Sequence, residues 1–167
     1  MRIMPAPFLG LLLLLAGNAP AQTPPLAPPP EARQFDFWVG EWDVINPAGK
    51  LVGTSRIERV AASAGLLESW TGAGGYTGRS LNAWNAAKKQ WQQFWVGSDG
   101  GVLELSGGLV EGRMVLAATH EVGGRPRTER ITWTPNADGT VRQHWEQSAD
   151  GGKSWMTAFD GLYRKRS

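Results

Sequence analysis

Cysteine is absent from all 167 residues of the chain, and only two histidines are present. The protein therefore has no disulfide, no thiolate metal ligand, no thiol nucleophile and no cysteine that could carry a lipid. Two histidines are also too few for a zinc site built from three imidazoles. Because no covalent cross-link is available, the fold must be stabilised by packing.

An excess of charge of one sign is also lacking. The 17 Lys and Arg residues nearly balance the 15 Asp and Glu residues, so the net charge is only +2. Arg164, Lys165 and Arg166 stand together at the end of the chain, where we expect a solvated tail. Since nucleic-acid binding normally needs basic residues gathered on a folded face, we predict no nucleic-acid partner.

No stretch of useful length shows the apolar period of an amphipathic helix. Instead, about ten short apolar runs follow one another from Phe35 onward, roughly 8–12 residues apart, as is typical of an all-β sandwich or barrel. Gly-Gly and Asp-Gly pairs between the runs indicate hairpin turns. A meander of this length avoids open edges by closing, so we predict one antiparallel meander β-barrel of about 8–10 strands over residues 35–167, with Phe35 to Val44 as its opening strand.

The first residues have the pattern of a secretory signal peptide. Arg2 supplies a positive charge, Phe8 to Leu15 an apolar core, and Ala19-Pro20-Ala21 a small-residue cleavage site. We therefore predict a signal peptide over residues 1–21 and an exported, periplasmic or secreted protein. The apolar run falls short of the ~20 residues of a membrane span, so no stable span is expected after cleavage; an uncleaved anchor is the alternative.

A proline-rich segment separates this leader from the predicted barrel. Prolines crowd the stretch from Thr23 to Pro30, and such density prevents helix and ladder pairing and favours extended polyproline II. We predict a disordered linker over residues 22–34 that acts as a spacer. The alternative is that it is a peptide ligand for a partner protein.

Gly40-Glu41-Trp42, on the predicted first strand, resembles the Gly-x-Trp signature of lipocalins and the wider calycin group. The resemblance implies a lipocalin-like barrel in which Trp42 plugs one end. It also implies that an arginine of the last strand packs over the tryptophan, and Arg164 is the nearest candidate.

Most of the chain after residue 34 also resembles a bacterial family of exported proteins of unknown function, the DUF1579 type. That resemblance implies fold and location rather than an activity. The segments that carry it are Asp36 to Asp43, Trp91, Glu104 to Gly107 and Asp160 to Tyr163.

Ser148 to Trp155 resembles an Asp-box, the turn motif that repeats in sialidase-like propellers. Asp150 can accept backbone N–H bonds in such a turn, and the glycines after it take left-handed conformations. Since the motif occurs once and the chain is too short for a propeller, we predict a structural hairpin.

Thr71 to Gly78 is the most glycine-rich turn of the chain. Its glycine spacing is similar to that of a dinucleotide-binding loop, but no apolar helix follows it, so this interpretation lacks its required context. We predict a loop between strands that forms a lid at the barrel mouth, with Tyr76 at its tip.

Strand alternation places polar residues on faces that are otherwise aromatic. Glu68 lies between Leu66 and Trp70, and Gln93 lies between Trp91 and Trp95, so both point inward if the tryptophans do. A buried carboxylate needs a partner or a proton. The available cationic partners are Arg56, Arg130 and Arg142. A polar cluster among aromatic side chains is what a small-ligand pocket looks like.

We therefore predict a binding protein for a small hydrophobic or amphipathic molecule, without a cofactor or metal. An enzyme that uses Glu68 and Glu104 in the same cavity is one alternative, and a barrel filled by its own side chains is another. His144 shares a face with Arg142 and Glu146, which indicates solvent exposure rather than haem ligation. The predicted ligand-binding residues are Glu68, Trp70, Trp84, Trp91, Gln93 and Trp95.

Overall fold

The structure, a computed structural model, describes residues 27–166. The predicted signal peptide over 1–21 and the first part of the predicted linker, 22–26, lie outside these residues. Ten strands make up most of the described chain. They are β1 Gly40–Ile45, β2 Leu51–Val60, β3 Gly65–Gly72, β4 Thr77–Asn85, β5 Gln90–Gly97, β6 Val102–Val110, β7 Arg113–Val122, β8 Arg125–Pro135, β9 Val141–Ser148 and β10 Met156–Lys165.

The strands form one closed antiparallel barrel in which each strand pairs with its neighbours in sequence. Closure comes from β1 and β10, whose register places Asp43 opposite Arg164 and Ile45 opposite Leu162. The predicted all-β meander barrel is therefore confirmed. The predicted solvated tail is wrong for the backbone of Arg164 and Lys165, which belongs to β10, although both side chains are exposed.

The N-terminal part of the described chain is helical rather than extended. Short 3-10 helices cover Pro30–Arg33 and Asp36–Trp38, and Ala32 in the first helix is buried. Helical structure thus precedes Phe35, and the opening strand begins only at Gly40 rather than at Phe35. Gly40 has a φ of +146°, which is accessible mainly to glycine, and it turns the chain from the second helix into β1.

These helices fill one end of the barrel with aromatic side chains, and we call this the plugged end. The Phe35 ring stacks on Trp38 at 5.0 Å and meets Trp133 edge-on at 5.1 Å and Trp91 at 5.6 Å. The Trp42 indole Nε1 donates a hydrogen bond of 2.9 Å to the Trp38 carbonyl oxygen. The aromatic rings therefore form the closed base of the barrel.

Trp42 is fully buried at the plugged end, as the resemblance to lipocalins implies. Its cationic neighbour, however, is Lys165, whose Nζ lies 5.1 Å from the centroid of the indole ring. The expectation that Arg164 covers Trp42 is wrong. Alternation along β10 points Arg164 away from the barrel, and the register places Lys165 opposite Trp42.

The Asp-box forms the hairpin between β9 and β10, as predicted. The Asp150 carboxylate Oδ1 accepts backbone N–H bonds from Lys153 at 3.0 Å and from Ser154 at 2.9 Å. Bonds from Ser154 above all lower the pKa of Asp150 to about 2. The Trp155 indole Nε1 donates a hydrogen bond of 3.0 Å to the Gly152 carbonyl and so closes the turn.

None of the helices within residues 27–166 is long and apolar enough to cross a bilayer.

Candidate functional site

A cavity of about 370 Å³ lies inside the barrel and opens at the end opposite the aromatic plug. The hairpin between β3 and β4 stands at its mouth, and Gly72, Ala73, Gly74 and Tyr76 contribute to the lining. The volume is near the lower end of the range of about 300–1,000 Å³ seen for small-molecule sites. The other lining residues are Val52, Glu68, Trp70, Gln93, Trp95, Leu103, Ile131, Gln143, Trp145, Phe159 and Tyr163.

Glu68 is the charged residue in this lining, and only 4% of its surface is exposed. The Ser55 hydroxyl donates to its Oε1 at 3.0 Å, and the Ser80 hydroxyl donates to its Oε2 at 2.9 Å. Behind Ser80, the Asn82 amide donates to the serine Oγ at 2.9 Å, and Gln93 donates to the Asn82 Oδ1 at 2.7 Å. A relay of hydrogen bonds therefore runs from Gln93 on β5, through Asn82 and Ser80 on β4, to the carboxylate of Glu68.

Burial dominates the electrostatics of this carboxylate. Loss of solvation raises the pKa of Glu68 from 4.5 to about 7, although the bonds from Ser80 and Ser55 oppose the rise. Tyr163, from β10, lies on the same side of the cavity, and its pKa is raised well above 10.0 by burial and by the nearby Glu68. Its hydroxyl donates to Gln143 at 2.5 Å. Near pH 7 the site can therefore both hold and release a proton.

The predicted arginine partners of Glu68 all point away from the barrel. Arg130 pairs with Glu146 at 3.0 Å, and Arg142 pairs with Asp160 at 2.6 Å. Arg56 likewise pairs with an outer residue, Glu58, at 2.6 Å. The prediction failed because each arginine has the opposite strand parity to the inward residues of its own strand. Glu68 is instead satisfied by hydroxyl groups.

Aromatic rings form the wall above Glu68. Trp70 meets Phe159 edge-on, with ring centroids 5.9 Å apart. Trp145 stands beside Phe159 on the neighbouring β9, and its indole Nε1 donates a bond of 2.6 Å to the buried Glu129. Gln147 donates to the other oxygen of Glu129 at 3.2 Å. Because its polar edge is fixed to a buried carboxylate, the Trp145 ring is held in place with its face available to the cavity.

Glycines make room for the cavity rings. A Cβ atom at Gly53 would lie 2.6 Å from the Trp70 ring, and one at Gly78 would lie 2.1 Å from the Trp95 ring. Both distances are far below van der Waals contact. The two indoles therefore lie against the sheet in the space that a side chain at Gly53 or Gly78 would occupy. The two glycines thereby keep the indoles out of the centre of the cavity.

We expect Gly78→Ala to push the Trp95 ring into the cavity, because the new methyl group would occupy the place of the indole. Crowding of this kind costs about 1–3 kcal/mol of stability and would reduce the cavity volume. Tryptophan emission and urea denaturation measure the two effects. Gly108→Ala is the control, since nothing lies within 4 Å of a Cβ there and Gly108 does not line the cavity. Equal behaviour of the two variants would contradict this account of the glycines.

The cavity brings together four of the six predicted binding residues: Glu68, Trp70, Gln93 and Trp95. The other two, Trp84 and Trp91, point inward but lie closer to the plugged end than the cavity does. Trp91 belongs to the plug, where its Nε1 donates to Gln34 at 3.2 Å, and Trp84, opposite Trp91 in the register, packs against the same core. Alternation along a strand predicts direction but not depth, so it could not separate these two pairs of tryptophans.

Glu104 does not share the cavity with Glu68. It is exposed on the outer face of β6, between the buried Leu103 and Leu105. A pair of carboxylates formed by Glu68 and Glu104 is therefore excluded. His144 also faces outward, as predicted, and its Nε2 lies 3.0 Å from the Thr157 hydroxyl.

Seven lining residues were not predicted: Gln143, Trp145, Phe159, Tyr163, Val52, Leu103 and Ile131. The sequence contained a signal for the first two, because an outward Arg142 and His144 require the residues between and after them to point inward. Phe159 follows a bulge in β10 at Thr157/Phe159, where the pairing register shifts. An irregularity of this kind cannot be read from alternation alone.

The part of the chain that the structure describes contains no group of three or more His, Asp or Glu side chains placed to hold a metal ion. Neither the protein-family models nor the curated proteins contain a match to this chain. The resemblances to lipocalins and to the DUF1579 type therefore stay predictions.

Proposed function

We propose that the protein binds one small molecule with an apolar body and a polar group in the barrel cavity. The observation that carries this proposal is a cavity of about 370 Å³ with aromatic walls, open at one end, whose buried side presents the carboxylate of Glu68. Apolar lining with a few convergent polar groups is the usual composition of a small-molecule site.

The fixed geometry of the wall supports binding rather than a barrel filled by its own side chains. Trp145 is hydrogen-bonded to Glu129, and Gly53 and Gly78 leave room for Trp70 and Trp95 to pack against the sheet. Rings held in this way lose little further freedom when a ligand enters, so little affinity is lost to ordering.

Export of the protein is part of the same proposal, and it depends on the leader pattern in residues 1–21. Membership of the exported DUF1579-type family would agree with it. An enzymatic role remains a second candidate because the pKa of Glu68 is about 7, which suits a general acid or base. Such a reaction would have to use Glu68 without a second carboxylate from Glu104.

A side chain that fills the cavity should weaken binding. The neutral dye N-phenyl-1-naphthylamine, which fluoresces in apolar sites, should bind the protein saturably at one site. Leu103→Trp places an indole in the cavity, and we expect it to weaken dye binding about tenfold or more. Native mass spectrometry of the purified protein then identifies any natural ligand by its mass.

Leu81→Trp is the matched control, because Leu81 is half exposed on the outer wall and its replacement leaves the cavity unchanged. Melting temperatures of both variants show whether each is folded. Equal dye binding by the two variants, or no saturable binding by the unaltered protein, would contradict the proposed function.

A further inference from the structure

Glu68 is a buried carboxylate without a countercharge. None of the ion pairs within residues 27–166 includes it, and its two contacts are the neutral hydroxyls of Ser55 and Ser80. Nor does the lining of the cavity contain an Arg, Lys or His from the described chain. Buried charges in proteins are normally paired, so the missing positive charge is the unusual feature of this site.

The hydrogen bonds around Glu68 point toward it. Gln93 donates to Asn82, Asn82 donates to Ser80, and Ser80 donates to Glu68. Ser55 supplies a second donor to the other carboxylate oxygen. An ionised carboxylate has about four acceptor positions, and these two hydroxyls occupy two of them. The relay therefore suits the ionised form and leaves acceptor capacity for a donor that enters from the cavity.

The aromatic wall favours the same kind of ligand. The faces of Trp and Tyr rings carry negative electrostatic potential and attract cations within about 6 Å. Trp70, Trp95 and Trp145 line the space in front of Glu68, with Phe159 edge-on to Trp70. A positive charge in this space would meet a carboxylate and electron-rich rings, whereas a negative charge would meet the same carboxylate with no cation in the lining to offset it.

We propose that the ligand is an organic cation, an amine or ammonium group on an apolar body, with its nitrogen against Glu68 and the aromatic rings. This inference deepens the proposed function and depends on it. It separates the protein from barrels that hold fatty acids, since a ligand carboxylate would face Glu68 with no cation from the lining to neutralise either group.

Binding of an amine should then depend on pH through Glu68. The other titratable group in the cavity lining beside Glu68 is Tyr163, which stays neutral because its pKa is raised. Tyr76 stands at the mouth, also with a raised pKa, and Glu129 lies behind Trp145. Because the pKa of Glu68 is about 7, amine affinity should be greatest above that pH and fall below it, as the carboxylate takes up a proton.

The test compares three ligands of equal length: octylamine, octan-1-ol and octanoate. Each is titrated by calorimetry and by displacement of N-phenyl-1-naphthylamine at about pH 8.5. We expect octylamine to bind about tenfold or more tightly than octan-1-ol, and octanoate to bind most weakly. The amine affinity should fall about tenfold at about pH 5.5, while the alcohol affinity stays constant.

Glu68→Gln should remove the preference for octylamine over octan-1-ol. Glu104→Gln, on the outer wall, is the matched control and should keep the preference. If Glu68→Gln does not fold, the pH profile of the unaltered protein replaces it.

Two failures are distinguishable. If the dye binds but octylamine shows no advantage over octan-1-ol, or octanoate binds most tightly, the inference is overturned while the proposed function stands. If neither the dye nor any of the three ligands binds, both are overturned.

Discussion

Trp38→Ala is expected to lower the free energy of unfolding by about 3–5 kcal/mol, the usual cost of truncating a buried aromatic side chain. Trp38 is fully buried at the plugged end, where it stacks on Phe35 at 5.0 Å and meets Tyr163 at 6.0 Å. Its removal would leave a void beneath the cavity that surrounding rings fill only in part. Urea denaturation followed by far-ultraviolet circular dichroism measures the loss without relying on tryptophan emission.

Two phenylalanine variants separate packing from hydrogen bonding at the plug. Trp38→Phe should cost much less than Trp38→Ala, because the buried Nε1 of Trp38 has no hydrogen-bond partner and its removal leaves no group unpaired. Trp42→Phe removes a similar volume but breaks the bond of 2.9 Å to the Trp38 carbonyl. It should therefore cost about 1–3 kcal/mol more than Trp38→Phe. Equal losses for the two phenylalanine variants would contradict this assignment.

Between acid and alkaline pH, the stability of Glu68→Gln relative to the unaltered protein is expected to rise by about 3 kcal/mol, which is the free-energy equivalent of a pKa raised from 4.5 to about 7. The folded state holds the Glu68 proton more tightly than the unfolded state does. The favourable contribution of Glu68 is therefore complete below pH 4.5 and is lost as the pH rises through about 7. Glutamine cannot ionise, so its variant escapes this loss.

The measurement is the difference in unfolding free energy between Glu68→Gln and the unaltered protein at about pH 4.5, 6 and 8. The difference should shift in favour of the variant across this series. Glu104→Gln, at an exposed site, should show no comparable shift. A difference that stays constant with pH would mean that Glu68 is not the group whose burial opposes ionisation.

Strand number and order could be predicted because the turns between strands have strong local chemistry. The Asn46-Pro47-Ala48-Gly49 turn and the Asp-box each close on side-chain to backbone bonds, such as Asn46 Oδ1 with the Lys50 N–H at 2.9 Å. The N-terminal helices could not be predicted in this way. Their aromatic residues suit a strand equally well, and only the packing of Phe35 and Trp38 into the barrel end decides the outcome.

The candidate site could be predicted in part for a related reason. The inward orientation of Glu68 and Gln93 is confirmed, since the alternation along one strand is a local property. The position of a side chain along the barrel axis depends instead on where the plug ends. That boundary separates Trp70 and Trp95 from Trp84 and Trp91, and it is set by residues distant in sequence. The contribution of Trp145 and Phe159 depends on all ten strands closing.

The described chain enters and leaves the barrel at the plugged end. The 3-10 helices precede β1 there, and the N–H of Arg166 bonds to the Glu41 carbonyl at 3.0 Å just after β10. An affinity handle attached after Arg166, or immobilisation on a bead at that point, would consequently leave the entrance facing solution. A protein inserted within residues 73–76, by contrast, would block the entrance of the cavity.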